Sequence, residues 1–443
     1  MSPSKTFCVL PWLHVNLWPS GDVHHCCLAE KDNAMGQLST ATPDQIVNNK
    51  KYKDLRLKML KGEKPFSCMR CFEREDHNIV SMRQHHNDFF QDRIDSVLSK
   101  TQPDGHVDDF KFEYWDFRFS NLCNMKCRMC GSHFSSQWYD EEVELVRRGN
   151  LNSKSYPVAS HRLMNAQDTS SFDIIEWIDS KIDDVKYIYF AGGEPLIMDE
   201  HWYILKKLVE NKRFDVKIKY NTNMLKLNHR GESAIDYWKQ FPFEKVSIEG
   251  SIDETGLPAE WIRTGTVWST VEENIQQVRQ AGLNFSCNTS IGGYNVIRLP
   301  ELIEELYQIS GTKVNLNLVQ NAWCCIQIIP DNIKQDIIRR TRKWYDATHL
   351  SKNGLHPKVK KIEMMIQQLE KPHVPELLES FFKRAAFVDL NKSTTLFDHI
   401  PFFAELNESI GYKYERFRDD FNEKSIDKRS RSIDSNLCSS VSN

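Results

Sequence analysis

The chain has 443 residues, with 58 Lys and Arg against 61 Asp and Glu for a formal charge of −3. That length predicts two or three domains with ample material for a large core. The near-neutral balance excludes a whole-chain basic footprint for nucleic acid and a polybasic membrane anchor.

The chain opens Met1-Ser-Pro-Ser-Lys-Thr-Phe-Cys8, without the apolar core of a signal peptide. No window approaches the roughly eighteen apolar residues needed to span a bilayer. A cytoplasmic protein with no membrane partner is the simplest expectation. Its twelve cysteines, in a reducing compartment, then suggest metal rather than disulfides where they cluster. Residues 1–104 are cysteine-bearing and rich in turn signals. They contain Phe7-Cys8-Val-Leu-Pro-Trp12, then His25-Cys26-Cys27, then Ser67-Cys68-Met-Arg-Cys71.

From about 110 to 320, strand-like and helix-like segments alternate. The expected strands are 112–119, 185–190, 216–220, 245–249, 284–291 and 314–319. Helices are expected over 136–147, 201–211, 271–281 and 299–309. Such alternation implies crossovers and a parallel sheet. Beyond about 330 the pattern turns helical, with 331–347 and 359–369 the best segments. Residues 422–443 are Ser-, Lys- and Asp-rich and read as a disordered tail.

The first strand leads into Cys123-Asn-Met-Lys-Cys127-Arg-Met-Cys130, a loop at a strand's C-terminal end, where barrel enzymes keep their chemistry. Three clustered thiols cannot pair off as disulfides, and thiolates favour zinc or iron–sulfur centres. A structural zinc would want a fourth ligand close by, for which His133 is the nearby candidate. The second strand ends Phe190-Ala-Gly192-Gly193-Glu194-Pro195, where glycines permit close backbone approach and a tight turn. The third ends Tyr220-Asn221-Thr-Asn223, and the fourth leads into Ser251-Ile-Asp253-Glu254 and then Arg263-Thr-Gly265.

The C-x3-C-x2-C spacing followed one strand later by Gly-Gly-Glu-Pro resembles the radical S-adenosylmethionine superfamily. The resemblance implies an incomplete (β/α)6 barrel over 105–330. It implies a [4Fe–4S] cluster on Cys123, Cys127 and Cys130, whose fourth iron binds and cleaves S-adenosylmethionine. The same resemblance assigns cofactor contacts to Gly192, Gly193, Glu194, Asn221, Asn223, Ser251, Asp253, Arg263 and Met129. An arginine suits a carboxylate because its planar fork engages it bidentately. Two departures from the family pattern are Glu254, where a glycine is usual, and Met129, where many members have an aromatic residue.

The N-terminal set resembles the twitch domain, a reduced relative of the SPASM domain that binds one auxiliary iron–sulfur cluster. Here it precedes the barrel rather than following it. That resemblance implies ligands Cys8, Cys26, Cys68 and Cys71, with Cys27 competing with Cys26 and a zinc ribbon as the alternative. Residues 331–421 would be a helical extension. The expected function is hydrogen abstraction from a peptide or protein side chain, with a flavodoxin- or ferredoxin-type electron donor. A carbohydrate or nucleotide metabolite is the alternative substrate, and a non-catalytic iron–sulfur or zinc protein the alternative function. No catalytic acid or base is nameable. Cys287, Cys324 and Cys325 read as packing, and Trp115, Trp138, Trp202 and Trp261 as core.

Overall fold

The computed structural model describes residues 4–29, 33–76, 79–148, 158–311, 314–347, 356–390, 392, 394–411 and 413–426. Nine strands make one sheet: β1 (His14–Leu17), β2 (Asp22–His24), β3 (Gly36–Gln37), β4 (Tyr114–Phe117), β5 (Tyr187–Phe190), β6 (Lys217–Thr222), β7 (Val246–Ser251), β8 (Asn284–Ile291) and β9 (Val314–Leu318). Their order is β9-β8-β7-β6-β5-β4-β1-β2-β3. Strands β4 to β9 lie side by side in chain order, every pair parallel. The loops after these strands therefore gather at one edge. All six predicted strands are present, trimmed or extended by a few residues.

Alternation decides which face of the sheet meets the helices. On β6, Ile218, Tyr220 and Thr222 are buried, whereas Lys217, Lys219 and Asn221 stay half-exposed on the other face. The buried face packs against crossover helices such as Asp199–Glu210, which buries Trp202, Ile204, Leu205 and Leu208. Helix Leu299–Ser310 starts with a proline in its first turn and stops at Gly311, whose φ of 68° closes the last turn onto Tyr307. Trp115, Trp138, Trp202 and Trp261 are all buried, as are Cys287, Cys324 and Cys325.

The N-terminal hundred residues differ from the turn-rich segment expected. Strand β1 runs parallel to β4, with Asn16 opposite Asp116, so this segment continues the main sheet. It also contains the helices Lys50–Leu60, Met69–Asp76, Met82–Phe89 and Ile94–Ser99. Lys50–Leu60 is capped by Asn49, whose side chain accepts from the Tyr52 amide. It buries Arg56 completely. That guanidinium donates to the Pro11 carbonyl at 2.9 and 2.7 Å and to the Gly105 carbonyl at 3.1 Å. A buried charge is tolerable only when hydrogen-bonded in this way.

After β9 the chain is helical, as expected, through Asp331–Ala347, His356–Leu369, Pro375–Val388, Phe402–Ser409 and Lys413–Ile426. The last helix continues beyond residue 422, where a disordered tail was expected. The rest of that tail, 427–443 with Cys438, lies outside the described residues. No helix among the described residues is long and apolar enough to cross a membrane.

Candidate radical-cluster site

The edge where β4 to β9 end opens on a cavity of about 660 Å³. Cys123, Cys127 and Cys130 line it together with Met129, Gly192, Gly193, Glu194, Asn221, Asn223, Ser251 and Arg263. Residues 140 positions apart in the chain thus share one wall. His133 also borders this cavity.

Local chemistry explains the convergence. Residues Lys126–Cys127 pair antiparallel with Arg263–Thr264, which lays the Arg263 arm along the cysteine loop. The Gly-Gly-Glu turn is stitched to the same loop: the Gly193 amide donates to the Ser120 carbonyl and the Glu194 amide to the Leu122 carbonyl at 2.9 Å. A Cβ at position 193 would run into the Leu122 carbonyl oxygen, and Gly192 adopts a φ of +116° against Arg118. Both glycines are needed for this approach.

Glu194 is almost fully buried. Its carboxylate accepts from Thr222 Oγ1 at 2.8 Å, the Asn223 amide at 2.8 Å and the Leu196 amide at 3.2 Å. Burial nonetheless pushes its pKa up to about 7, against the pull of those donors. Arg263 forms an ion pair with Asp253 at 2.8 Å and donates to Cys127 Sγ at 3.5 Å. Asp253 also accepts from the Ser290 amide at 2.7 Å. It therefore stands behind Arg263, outside the cavity wall.

The two asparagines have separate jobs. Asn223 Nδ2 donates to Asn124 Oδ1 in the cysteine loop at 2.7 Å, and its side-chain Oδ1 accepts from the Leu225 amide. Asn221 donates to the Tyr189 hydroxyl at 2.6 Å and lies on the half-exposed face of the sheet with Lys217 and Lys219. The unusual Glu254 causes no backbone strain, because the positive φ falls at Gly256. Its carboxylate pairs with Arg298 at 2.8 Å. Met129 lies on the cavity wall and packs with Cys123, Met125 and Cys127, a polarisable contact in place of a ring.

Cys8, Cys26, Cys68 and Cys71 line a second, much tighter cavity with His25 and Arg83. Cys27 is not in that wall, and its thiol faces Asp116 on β4. The sequence left Cys26 and Cys27 open; of the two, Cys26 is the one that lines this cavity. His25 Nε2 lies 3.7 Å from Cys68 Sγ, and burial lowers its pKa to about 4.

Both sets fit iron–sulfur groups by donor chemistry. Burial raises the pKa of Cys123 and Cys127, and lifts Cys130 to about 12 and Cys68 to about 11. Thiols so placed ionise only beside a cationic partner. Amide donors already aim at sulfur, Met125 at Cys123 and Leu28 at Cys26, each at 3.4 Å, and such bonds tune cluster sulfurs. Among the described residues, no three His, Cys, Asp or Glu side chains converge on a single-ion position.

The residues that sequence reasoning missed are Arg118 and Tyr189. Both line the main cavity, and Arg118 Nε lies 3.3 Å from Asp116. The period-two pattern of β4 could have placed Asp116 and Arg118 on the polar face.

Comparison with known proteins agrees with this geometry. The Radical SAM superfamily model matches residues 117–306, and the SPASM iron–sulfur cluster-binding domain matches residues 8–72. The chain is a member of the radical S-adenosylmethionine superfamily of enzymes. More particularly, it is a member with a SPASM-type domain. That membership brings a [4Fe–4S] cluster and S-adenosylmethionine as cofactors, with an auxiliary iron–sulfur centre in the SPASM-type part.

No curated protein matches the chain. Among solved structures, native anSMEcpe with bound AdoMet is 14% identical at a TM-score of 0.36, over 53% of this chain and 61% of that one. The same protein with AdoMet and the Cp18Cys peptide is 16% identical at 0.31, over 52% and 58%. TYW1 with a lysine-pyruvate adduct is 12% identical at 0.27, over 53% and 71%. The matched region thus spans about three fifths of the anSMEcpe chains.

Proposed function

We propose that the chain cleaves S-adenosylmethionine reductively and takes a hydrogen atom from a polar substrate held in the main cavity. The observation that carries this reading is the meeting of Cys123, Cys127 and Cys130 with the Gly192-Gly193-Glu194 turn around one cavity. When bound, the cluster supplies the electron that converts S-adenosylmethionine into methionine and a 5′-deoxyadenosyl radical.

The residues around it bind, orient and exclude water. Cys123, Cys127 and Cys130 would hold the cluster, three thiolates being one short of a closed four-ligand site. Glu194 and the backbone of Gly192 and Gly193 take the amino group, while Ser251 and Arg263 take the carboxylate. Asp253 fixes the Arg263 fork. Met129 would offer an apolar contact to the adenine, and Asn221 and Asn223 polar groups to the ribose, from the cavity wall they line. Strands β4 to β9 with their helices are read as the incomplete barrel, and Cys8, Cys26, Cys68 and Cys71 as the auxiliary ligands. The working boundaries remain 1–104, 105–330 and 331–421. Members of this superfamily need an electron donor, here proposed to be of flavodoxin or ferredoxin type.

The half-exposed face of the sheet supports a polar substrate. Asn317 donates to Asn288 at 2.6 Å, Asn288 to Asn221 at 3.3 Å, and Asn221 to the Tyr189 hydroxyl. This amide row, with Lys219 paired to Glu249 at 3.0 Å, presents donors and acceptors without a dominant charge. A peptide or protein side chain with its flanking amides suits that surface, and the hydroxyls of a carbohydrate would find the same partners.

The test is anaerobic. Reconstituted protein with dithionite and S-adenosylmethionine should release 5′-deoxyadenosine, and the Cys127→Ala protein should not. Equal release from both proteins would refute the assignment.

A further inference from the structure

The C-terminal helices have no role in the reading above, yet one of their residues reaches the cluster loop. Asp389 follows the helix Pro375–Val388 and is completely buried. Its Oδ1 accepts from Arg128 Nη2 at 2.7 Å. Its Oδ2 accepts from Trp261 Nε1 at 3.0 Å, from the Tyr414 hydroxyl at 3.0 Å and from the Leu396 amide at 2.9 Å. A single carboxylate thus joins four segments of the chain.

Two of those segments form the cofactor site. Arg128 stands between Cys127 and Cys130. Its amide donates to the Ile262 carbonyl at 2.8 Å, its Nε to the Trp261 carbonyl at 3.0 Å, and its guanidinium lies 4.0 Å from the centre of the Trp261 ring. Trp261 belongs to the helix that leads directly into Arg263, the residue that touches Cys127. The cysteine loop and the Arg263 arm are therefore both fastened to Asp389. Elsewhere on the extension, Arg384 lies 4.7 Å from the Trp138 ring centre and 4.4 Å from that of Trp323. Trp323 in turn donates to the Arg128 carbonyl at 3.1 Å.

We propose that Asp389 is a positioning residue for the S-adenosylmethionine site, and that the C-terminal extension is the clamp that holds the cysteine loop in register with Arg263. The proposal rests on reading Cys123, Cys127 and Cys130 as cluster ligands. A buried ion pair is a poor source of net stability but a strong constraint on geometry, because either charge left alone is costly. The loop has no helix or long strand of its own to fix it. Its first residues are held by the Gly193, Glu194 and Asn223 contacts, and its second half, Lys126 to Cys130, by the two-residue ribbon with Arg263–Thr264 and by this clamp.

The experiment uses the full chain, reconstituted with iron and sulfide, reduced with dithionite, and examined by electron paramagnetic resonance with and without S-adenosylmethionine. Asp389→Asn keeps the shape and can still accept from Trp261, but it removes the charge facing Arg128. Asp389→Glu restores the charge, and Tyr414→Phe removes a different partner of the same carboxylate. The proposal expects Asp389→Asn to keep its auxiliary signal and lose the spectral change that the cofactor induces in the other cluster. Asp389→Glu should regain part of that change, and Tyr414→Phe should keep all of it. If Asp389→Asn does not fold, Arg128→Gln gives the same readout with the C-terminal helices intact, and the same selective loss is expected. A wild-type response to the cofactor in the folded Asp389→Asn protein, or in Arg128→Gln where that stands in, overturns the proposal. A wild-type chain that shows no response overturns the functional reading itself, along with this one.

Discussion

The two cysteine centres are built from similar residues in different surroundings. Cys123, Cys127 and Cys130 stand at the rim of a cavity of about 660 Å³ whose lining also carries a carboxylate, amides and Arg263. Cys8, Cys26, Cys68 and Cys71 enclose a cavity of about 20 Å³, walled by Leu10, Pro11, Leu28 and Met59. Three donors beside open space suit a group that must still bind something, whereas four donors in a tight wall suit one that is fully ligated. The same distinction separates catalytic from structural zinc sites. Chemistry is thus expected at the first centre. The second is suited to electron transfer or to holding the protein together.

The largest expected effect separates the two directly. Cys127→Ala should abolish 5′-deoxyadenosine release to background while leaving the auxiliary centre in place, read by product chromatography beside iron analysis. Cys68→Ala should do the converse, losing roughly half the iron if each centre holds a cluster of similar size, with cofactor cleavage surviving. Equal loss of cleavage in both variants would break the division of labour.

A smaller effect tests the turn that faces the first centre. Gly193→Ala places a Cβ against the Leu122 carbonyl oxygen, backbone that cannot step aside. It should destabilise the fold by about 1–3 kcal/mol and weaken cofactor binding, measured by thermal melting and by titration. Gly231→Ala provides the contrast, since Gly231 has a φ of +85° and nothing lies within 4 Å of its added Cβ. Its cost should come from backbone strain alone.

The smallest effect concerns Glu254, the departure from the family pattern. Burial raises its pKa from 4.5 to about 7, with Arg298 opposing the shift. The folded state then holds this proton more tightly than the unfolded one. Its contribution to stability is present in full below about 4.5 and is lost as pH rises through about 7. Glu254→Gln should flatten the fall in melting temperature across that window. An unchanged pH profile would show that the carboxyl titrates normally.

Much of this site was legible in the sequence because its parts are local. Cys123-x3-Cys127-x2-Cys130 and the Gly192-Gly193-Glu194 turn each sit just after a recognisable strand, and parallel strands bring such ends to one edge. The helices of the first hundred residues were less legible. Lys50–Leu60 has only a weakly apolar face, and it buries an arginine that no periodicity would place inside. The pairing of β1 with β4 joins Asn16 to Asp116, a contact that no window of sequence contains. Asp389 was hidden for the same reason: its partner Arg128 lies 261 positions away. The roles of Asp253 and Asn223 also needed three dimensions, because their partners Arg263 and Asn124 come from other loops.

The most direct test of an open iron at the cavity rim is spectroscopic. In Cys68→Ala protein, reduced with dithionite, the remaining cluster should change its paramagnetic resonance spectrum on addition of S-adenosylmethionine, because the cofactor ligates it. A spectrum that stays the same at saturating cofactor would contradict the account.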